Sequence, residues 1–407
     1  MSTHSLNVRL CPARLGAWRP TTLFPLILAL AGLLSLSACT GGAWFGQEAA
    51  GGGRSSGASL YATSGFGPDG RLWRVTPEAR TVTVAYSDDE GASFSTPVSL
   101  SAEAQSPRAA PDDRPSIAVD KQGRVHVTYY AAGPAGWVLY YSFSGDGGRS
   151  FSPPQALTGA RSAVRHHQDI LAASPAGPVY LFGYTERGAA GASLLYTTAD
   201  QPEAMHLPDR PIQEGMCECC RIAVDFDPAG RPVLFTRMIY PGSVRDHGLI
   251  AMGPGGNWQA SRVTQDDWEL QACPEHGPAL AIAQDGRYHI TWFTQGRARK
   301  GLFYAHSDDG GRGFSAPVAY GDNKALAGHG NVLAVGERVV LVWKEFDGHT
   351  SRVMVRQSRD RGQTWSAPTE LASSPGASDH PFLLGKGGRV FLSWNLSDRP
   401  YRLIPIG

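Results

Sequence analysis

Gly286-Arg287-Tyr288-His289-Ile290-Thr291-Trp292-Phe293 is a turn glycine followed by a β-branched and aromatic strand. The same phrase returns as Gly123-Arg124-Val125-His126-Val127-Thr128-Tyr129-Tyr130 and as Gly388-Arg389-Val390-Phe391-Leu392-Ser393-Trp394-Asn395. Glycines at this phase are Gly70, Gly123, Gly177, Gly230, Gly286, Gly336 and Gly388, at intervals of 53, 54, 53, 56, 50 and 52 residues. Each unit runs apolar strand, turn, glycine-led strand, a third strand near Tyr86, Tyr141, Tyr196, Ile250, Tyr304 or Val355, a Ser/Asp/Gly turn and a weaker fourth strand. Strand-rich units of one period bury their faces only by stacking on their neighbours. The pattern therefore predicts an all-β fold, a β-propeller. Seven glycines favour seven blades, with six as the alternative if a terminal unit merges with its neighbour. The last unit stops at Gly407 without a fourth strand. Residues 58–61 are the candidate to supply one and close the ring.

The turn after the third strand carries a family resemblance. Ser87-Asp88-Asp89-Glu90-Gly91-Ala92-Ser93-Phe94 fits the pattern S-x-D-x-G-x-x-[FW]. The turns beginning at Ser144, Ser307 and Ser358, with Asp146, Asp309 and Asp360, fit it too. These four resemble the Asp-box, or bacterial neuraminidase repeat, of sialidase-like propellers, and the resemblance covers residues 59–407. Its chemistry is structural: Ser and Asp side chains bond nearby backbone N–H groups and hold a tight turn.

The 407 residues carry a formal charge of +1, and residues 1–38 hold Arg9, Arg14 and Arg19 with no acid, so the remainder carries −2. That is no basic footprint for nucleic acid. The arginines precede an apolar run, 23–34, shorter than the roughly 20 residues that span a bilayer. Leu36-Ser37-Ala38-Cys39 then resembles the lipobox of bacterial lipoproteins. The resemblance implies that 1–38 is a signal peptide, that Cys39 is lipidated, and that Thr40 directs the protein to the outer membrane, facing the periplasm. Residues 39–58, rich in Gly, Ala and Ser, read as a flexible tether. The expected partners are the membrane through the lipid, and a glycan or an envelope protein; the propeller is expected to be a monomer.

In a propeller, the residues just before each innermost strand converge on one face, where loops vary on a rigid scaffold. Those loops contain Asp113-Arg114-Pro115, Arg165-His166-His167-Gln168-Asp169, Met216-Cys217-Glu218-Cys219-Cys220-Arg221, Cys273-Pro274-Glu275-His276, His329-Gly330-Asn331 and Asp379-His380. Five of the 12 histidines fall there, with all four cysteines that follow Cys39.

Several chemistries fit this set. An exported chain with an even number of cysteines suggests disulfides, most simply between Cys273 and the Cys217–Cys220 loop. Thiolate and imidazole are also ligands for copper and zinc. A metal site would draw on Cys217, Cys219, Cys220, Cys273, His166, His167, His276, His329 and His380, with the Met216 thioether in the same loop; copper is preferred and zinc is the alternative. The family resemblance implies a third reading, an exo-sialidase. Arg114, Arg165 and Arg221 would grip a sugar carboxylate, Asp113 or Asp169 would act as acid, and Glu218 or Glu275 would support a tyrosine nucleophile. The Arg-Ile-Pro motif of sialidases has no counterpart; the nearest stretch is Leu72-Trp73-Arg74-Val75. A fourth reading is a platform that binds at its mouth without catalysis.

Overall fold

A computed structural model describes residues 60–407, except 134–135, 158–168, 186–187, 189–190 and 206–207. Residues 1–38, expected to be a signal peptide, Cys39 and the whole of the expected tether lie outside the described residues, as do Arg165, His166 and His167.

The chain forms seven small antiparallel sheets in sequence order. The first holds β1 (Thr63–Phe66), β2 (Leu72–Pro77), β3 (Val82–Ser87) and β4 (Val98–Ser99). The second holds β5 (Ser116–Val119), β6 (Val125–Gly133), β7 (Gly136–Ser144) and β8 (Gln155–Leu157), and the third β9 (Ile170–Ala173), β10 (Val179–Tyr184), β11 (Ala192–Ala199) and β12 (Arg210–Met216). The fourth holds β13 (Ala223–Phe226), β14 (Pro232–Arg237), β15 (His247–Met252) and β16 (Trp258–Arg262), and the fifth β17 (Ala279–Ile282), β18 (Tyr288–Gln295), β19 (Lys300–Ser307) and β20 (Val318–Tyr320). The sixth holds β21 (Gly328–Val335), β22 (Arg338–Phe346), β23 (Ser351–Ser358) and β24 (Thr369–Ser374). The seventh has three strands, β25 (Phe382–Lys386), β26 (Arg389–Ser393) and β27 (Leu403–Ile406). This is a seven-bladed propeller, and the six-bladed alternative is excluded.

The repeat glycines sit where their phase put them, between first and second strands. Gly123 and Gly286 have φ of 79° and 84°, a region open to glycine at little cost. Around Gly123, the Asp120 carboxylate accepts from the backbone N–H of Gln122 and of Arg124, both at 2.9 Å. Second strands are buried on both faces, as in Pro232–Arg237, where every residue is buried. Each pair of neighbouring sheets shares an apolar cluster, so the core is seven wedges rather than one mass. Each Ser-x-Asp-x-Gly turn repeats one set of bonds. In the third of them Ser307 Oγ donates to Asp309 at 2.8 Å and accepts from Gly311 N at 2.9 Å, while Asp309 accepts from Gly313 N at 2.9 Å.

Closure differs from expectation. Residues 60–61 form a turn leading directly into β1, which pairs only with β2, and the seventh sheet gains no fourth strand from them. The reason is local: β1 completes its own sheet, leaving no strand-length segment among the described residues to lend. The first and seventh sheets join through side chains instead. Leu72 and Phe66 pack with Phe391, Tyr401 and Leu403, and Asn395 Nδ2 donates to the Ala62 carbonyl at 3.0 Å.

Candidate functional site at the mouth

Inner strands touch at six of the seven joints between blades, and at the remaining one Ser174 Oγ of the third blade donates to the Gly230 carbonyl of the fourth, so the loops ahead of them meet around one axis. The richest of these loops follows β12. Cys217 N donates to the Arg237 carbonyl at 3.1 Å, and Cys220 N closes a turn onto the Cys217 carbonyl at 3.2 Å. These two bonds fold the three sulfurs inward. Cys217, Cys219 and Cys220 are at most 1% exposed. The Sγ of Cys217 lies 3.6 Å from that of Cys219 and 4.0 Å from that of Cys220, and the three sulfurs all lie within 4.8 Å of one another. A disulfide needs about 2.05 Å; none is formed among the four cysteines of the described residues. Cys273, half-buried on the next blade, packs against the trio with Ile239.

Two arginines back this cluster. Arg245 Nη1 donates to Cys217 Sγ at 3.1 Å, and its Nε bonds the Leu270 carbonyl at 2.9 Å. Arg237 donates to the carbonyls of Arg245, His276 and Phe293, and its guanidinium lies 4.8 Å over the Trp268 ring. Both arginines are fully buried. Bonds from Cys219 and Cys220, followed by the charges of Arg237 and Arg245, hold the Cys217 thiol well below its ordinary range. The same bonds push the Cys219 thiol up, and that of Cys220 up to about 12.

The histidines form a separate array. The rings of Phe293, His276, His329 and His380 stack in a row, with centroids 4.1, 4.5 and 3.6 Å apart and planes within 21°. Burial, then the Arg237 charge, lowers His276 to about 4. Burial and its neighbouring imidazoles hold His329 well below its usual value. Two neutral rings can stack face to face where two imidazolium ions would repel. Parallel rings have parallel lone pairs, so these nitrogens do not aim at one ion. The nine metal-site candidates therefore divide. Three cysteines meet, Cys273 stands beside them, three histidines form an adjoining stack, and His166 and His167 lie outside the described residues.

The carboxylate at the centre is one that the sequence reading missed. Asp113 points away and bonds Arg108 Nε at 2.6 Å. Asp112 faces the mouth, 3.5 Å from His380 Nδ1 and 3.9 Å from Arg221 Nη1, with neither oxygen hydrogen-bonded. Burial pushes its carboxyl up, but His380, Arg221 and Arg114 outweigh that and hold it below the usual range. Both residues lie in a bend ahead of β5, where no strand alternation says which side chain turns inward, and the sequence reading named the other aspartate. The adjacent pair in Pro111-Asp112-Asp113-Arg114 was the only signal.

The two described sialidase-type arginines, Arg114 and Arg221, are not poised for a free carboxylate. Arg114 is engaged by Asp379 through both Nη atoms, the Nη1 bond being 2.8 Å. Arg221 donates to the carbonyls of Pro278 and Gly330 at 3.3 and 3.2 Å. The two guanidiniums lie 4.9 and 5.2 Å from the same ring, Phe382. Asp169 accepts from the Tyr130 hydroxyl at 2.6 Å. Glu218 is almost buried, 9% exposed, within the cysteine loop. Glu275 takes a left-handed backbone, φ 50°.

No family model and no curated protein matches the sequence. Solved structures do resemble it. An ulvan lyase of polysaccharide lyase family PL25, bound to -[GlcA(1-4)Rha3S]-, is 10% identical over 86% of this chain and 92% of its own, with a TM-score of 0.54. Polysaccharide lyase Uly1 is 11% identical over 86% and 90%, with a TM-score of 0.51. The Hadza microbial sialidase Hz136 is 14% identical over 86% and 65%, at 0.45. Likeness at this identity shows a shared fold alone.

Proposed function

We propose that this protein binds a soft transition-metal ion, copper, at the mouth of its propeller through Cys217, Cys219 and Cys220. The observation that carries the reading is the trio of buried sulfurs, with no disulfide among them, within 4.8 Å of one another. Three sulfurs around one ion at a metal–sulfur distance of about 2.3 Å stand roughly 4 Å apart, close to the 3.6 and 4.0 Å found here. Thiolates favour Cu(I) and zinc over calcium or magnesium. His276, His329 and His380 stack beside the cluster rather than sharing its ion. We propose further that Cys39 carries the lipid and holds the propeller at the outer membrane, facing the periplasm; the lipobox supports this. A glycan at the mouth, the alternative, gains no support from Arg114, whose fork is already filled by Asp379. The test is copper uptake by the reduced protein. One equivalent should bind, and Cys219→Ser should abolish binding; unchanged uptake by that variant removes the hypothesis.

A further inference from the structure

From the buried charges beside the sulfurs, we infer that the site is built for a monovalent ion, Cu(I), held by all three sulfurs as thiolates. This rests on the metal reading above and goes beyond it by fixing the ion's charge and its ligand count. Arg237 and Arg245 are 0% and 1% exposed. A guanidinium keeps its charge in any protein environment. Elsewhere at the mouth such charges are matched: Arg114 has Asp379, and Arg221 has Asp112 at 3.9 Å. Among the described residues no carboxylate lies within ion-pair distance of Arg237 or Arg245; the nearby Asp246 is spent on Arg262. Carbonyl oxygens and the Trp268 face satisfy some of their hydrogens, but a dipole does not cancel a net charge. Two positive charges in a dry interior require two negative ones.

The sulfur cluster is the partner in reach, since Arg245 bonds Cys217 directly. Three thiolates with one monovalent cation carry two negative charges, which the two arginines neutralise. Three thiolates with a divalent cation carry one, and a positive charge is left buried. Two thiolates with a monovalent cation fall short in the same way. Arg237 and Arg245 are thus positioning and countercharge residues, and they set which ion the cluster prefers.

The experiment uses the full reduced chain, without oxygen. Cu(I) is supplied against a competing Cu(I) chelator, and Zn(II) against a chromophoric zinc chelator. X-ray absorption at the copper edge should show three sulfur neighbours. Arg245→Gln should weaken Cu(I) by about tenfold or more while zinc is unchanged or tightened, because the lost charge penalises the more negative complex. Arg245→Lys, which keeps the charge, should retain the original preference. Two sulfur neighbours, or equal weakening of both ions by Arg245→Gln, would overturn the inference. If Arg245→Gln does not fold, the absorption spectrum of the unaltered chain decides. Failure of both ions to bind the unaltered chain defeats the metal reading itself, a different result from binding with the wrong count.

Discussion

Arg114 and Asp379, 265 residues apart, meet as two nitrogens against two oxygens and tie the second blade to the seventh. Asp379 is 1% exposed and also accepts from Asn395 Nδ2 at 3.0 Å. The pair is therefore a fastening of the ring. Arg114→Ala leaves a buried carboxylate without its cation, a change that costs on the order of 3–5 kcal/mol. Urea denaturation should show that loss. A sugar-binding arginine, by contrast, would be removed with little change in stability.

The cysteines should not behave alike. Cys217, Cys219 and Cys220 form the trio, while Cys273 is half-buried beside it. Cys273→Ser should keep one equivalent of copper, whereas Cys217→Ser should lose it. Equal loss in both variants, read by chelator competition, would mean a four-sulfur site.

Mild acid should destabilise the propeller through a buried histidine. His289 is 1% exposed, its Nδ1 is 2.7 Å from the Tyr304 hydroxyl, and burial lowers it to about 4. Below its unfolded value of about 6.5 the unfolded chain takes up a proton that the folded chain refuses, so stability falls as the pH drops from about 6.5 to 4. The full effect is on the order of 3 kcal/mol. Stability measured against pH should slope less in His289→Gln over that window.

His329 holds a left-handed backbone, φ 52°, between Gly328 and Gly330. For an L-residue this conformation costs about 1–2 kcal/mol. His329→Gly should therefore be more stable than His329→Ala by about 1 kcal/mol, read from denaturation midpoints. The reverse order would show that stacking geometry, not the backbone, sets the conformation.

The fold was legible because its signal is repetitive. Seven glycines at one phase fix seven first turns, and each has positive φ in the structure. The mouth was legible as a set of loops, since phase alone says which segments precede inner strands. Its internal geometry was not. Whether Cys217 faces Cys219 or Cys273 depends on one tight turn, closed by Cys220 N on the Cys217 carbonyl. Arg237 and Arg245 come from a strand end and a loop with no place in the repeat, so nothing marked them as neighbours of the sulfurs. Asp112 was lost because it shares a bend with Asp113, where no repeat tells which carboxylate turns inward. The histidine stack needs left-handed backbone at His329, which residue type alone does not announce.

Every sheet here is woven from one unbroken stretch of chain. Six of the seven joints between blades are consequently spanned by a peptide link, and the joint between the first blade and the seventh is held by side chains: Phe66, Leu72, Phe391 and their neighbours pack, Asn395 reaches Ala62, and Arg389 pairs with Glu90 at 2.7 Å. A closed bracelet of this design has its clasp at a known address: it can come undone there while every blade stays intact, and new chain ends cut at any other joint would need only a short bridge across the clasp to restore the circle.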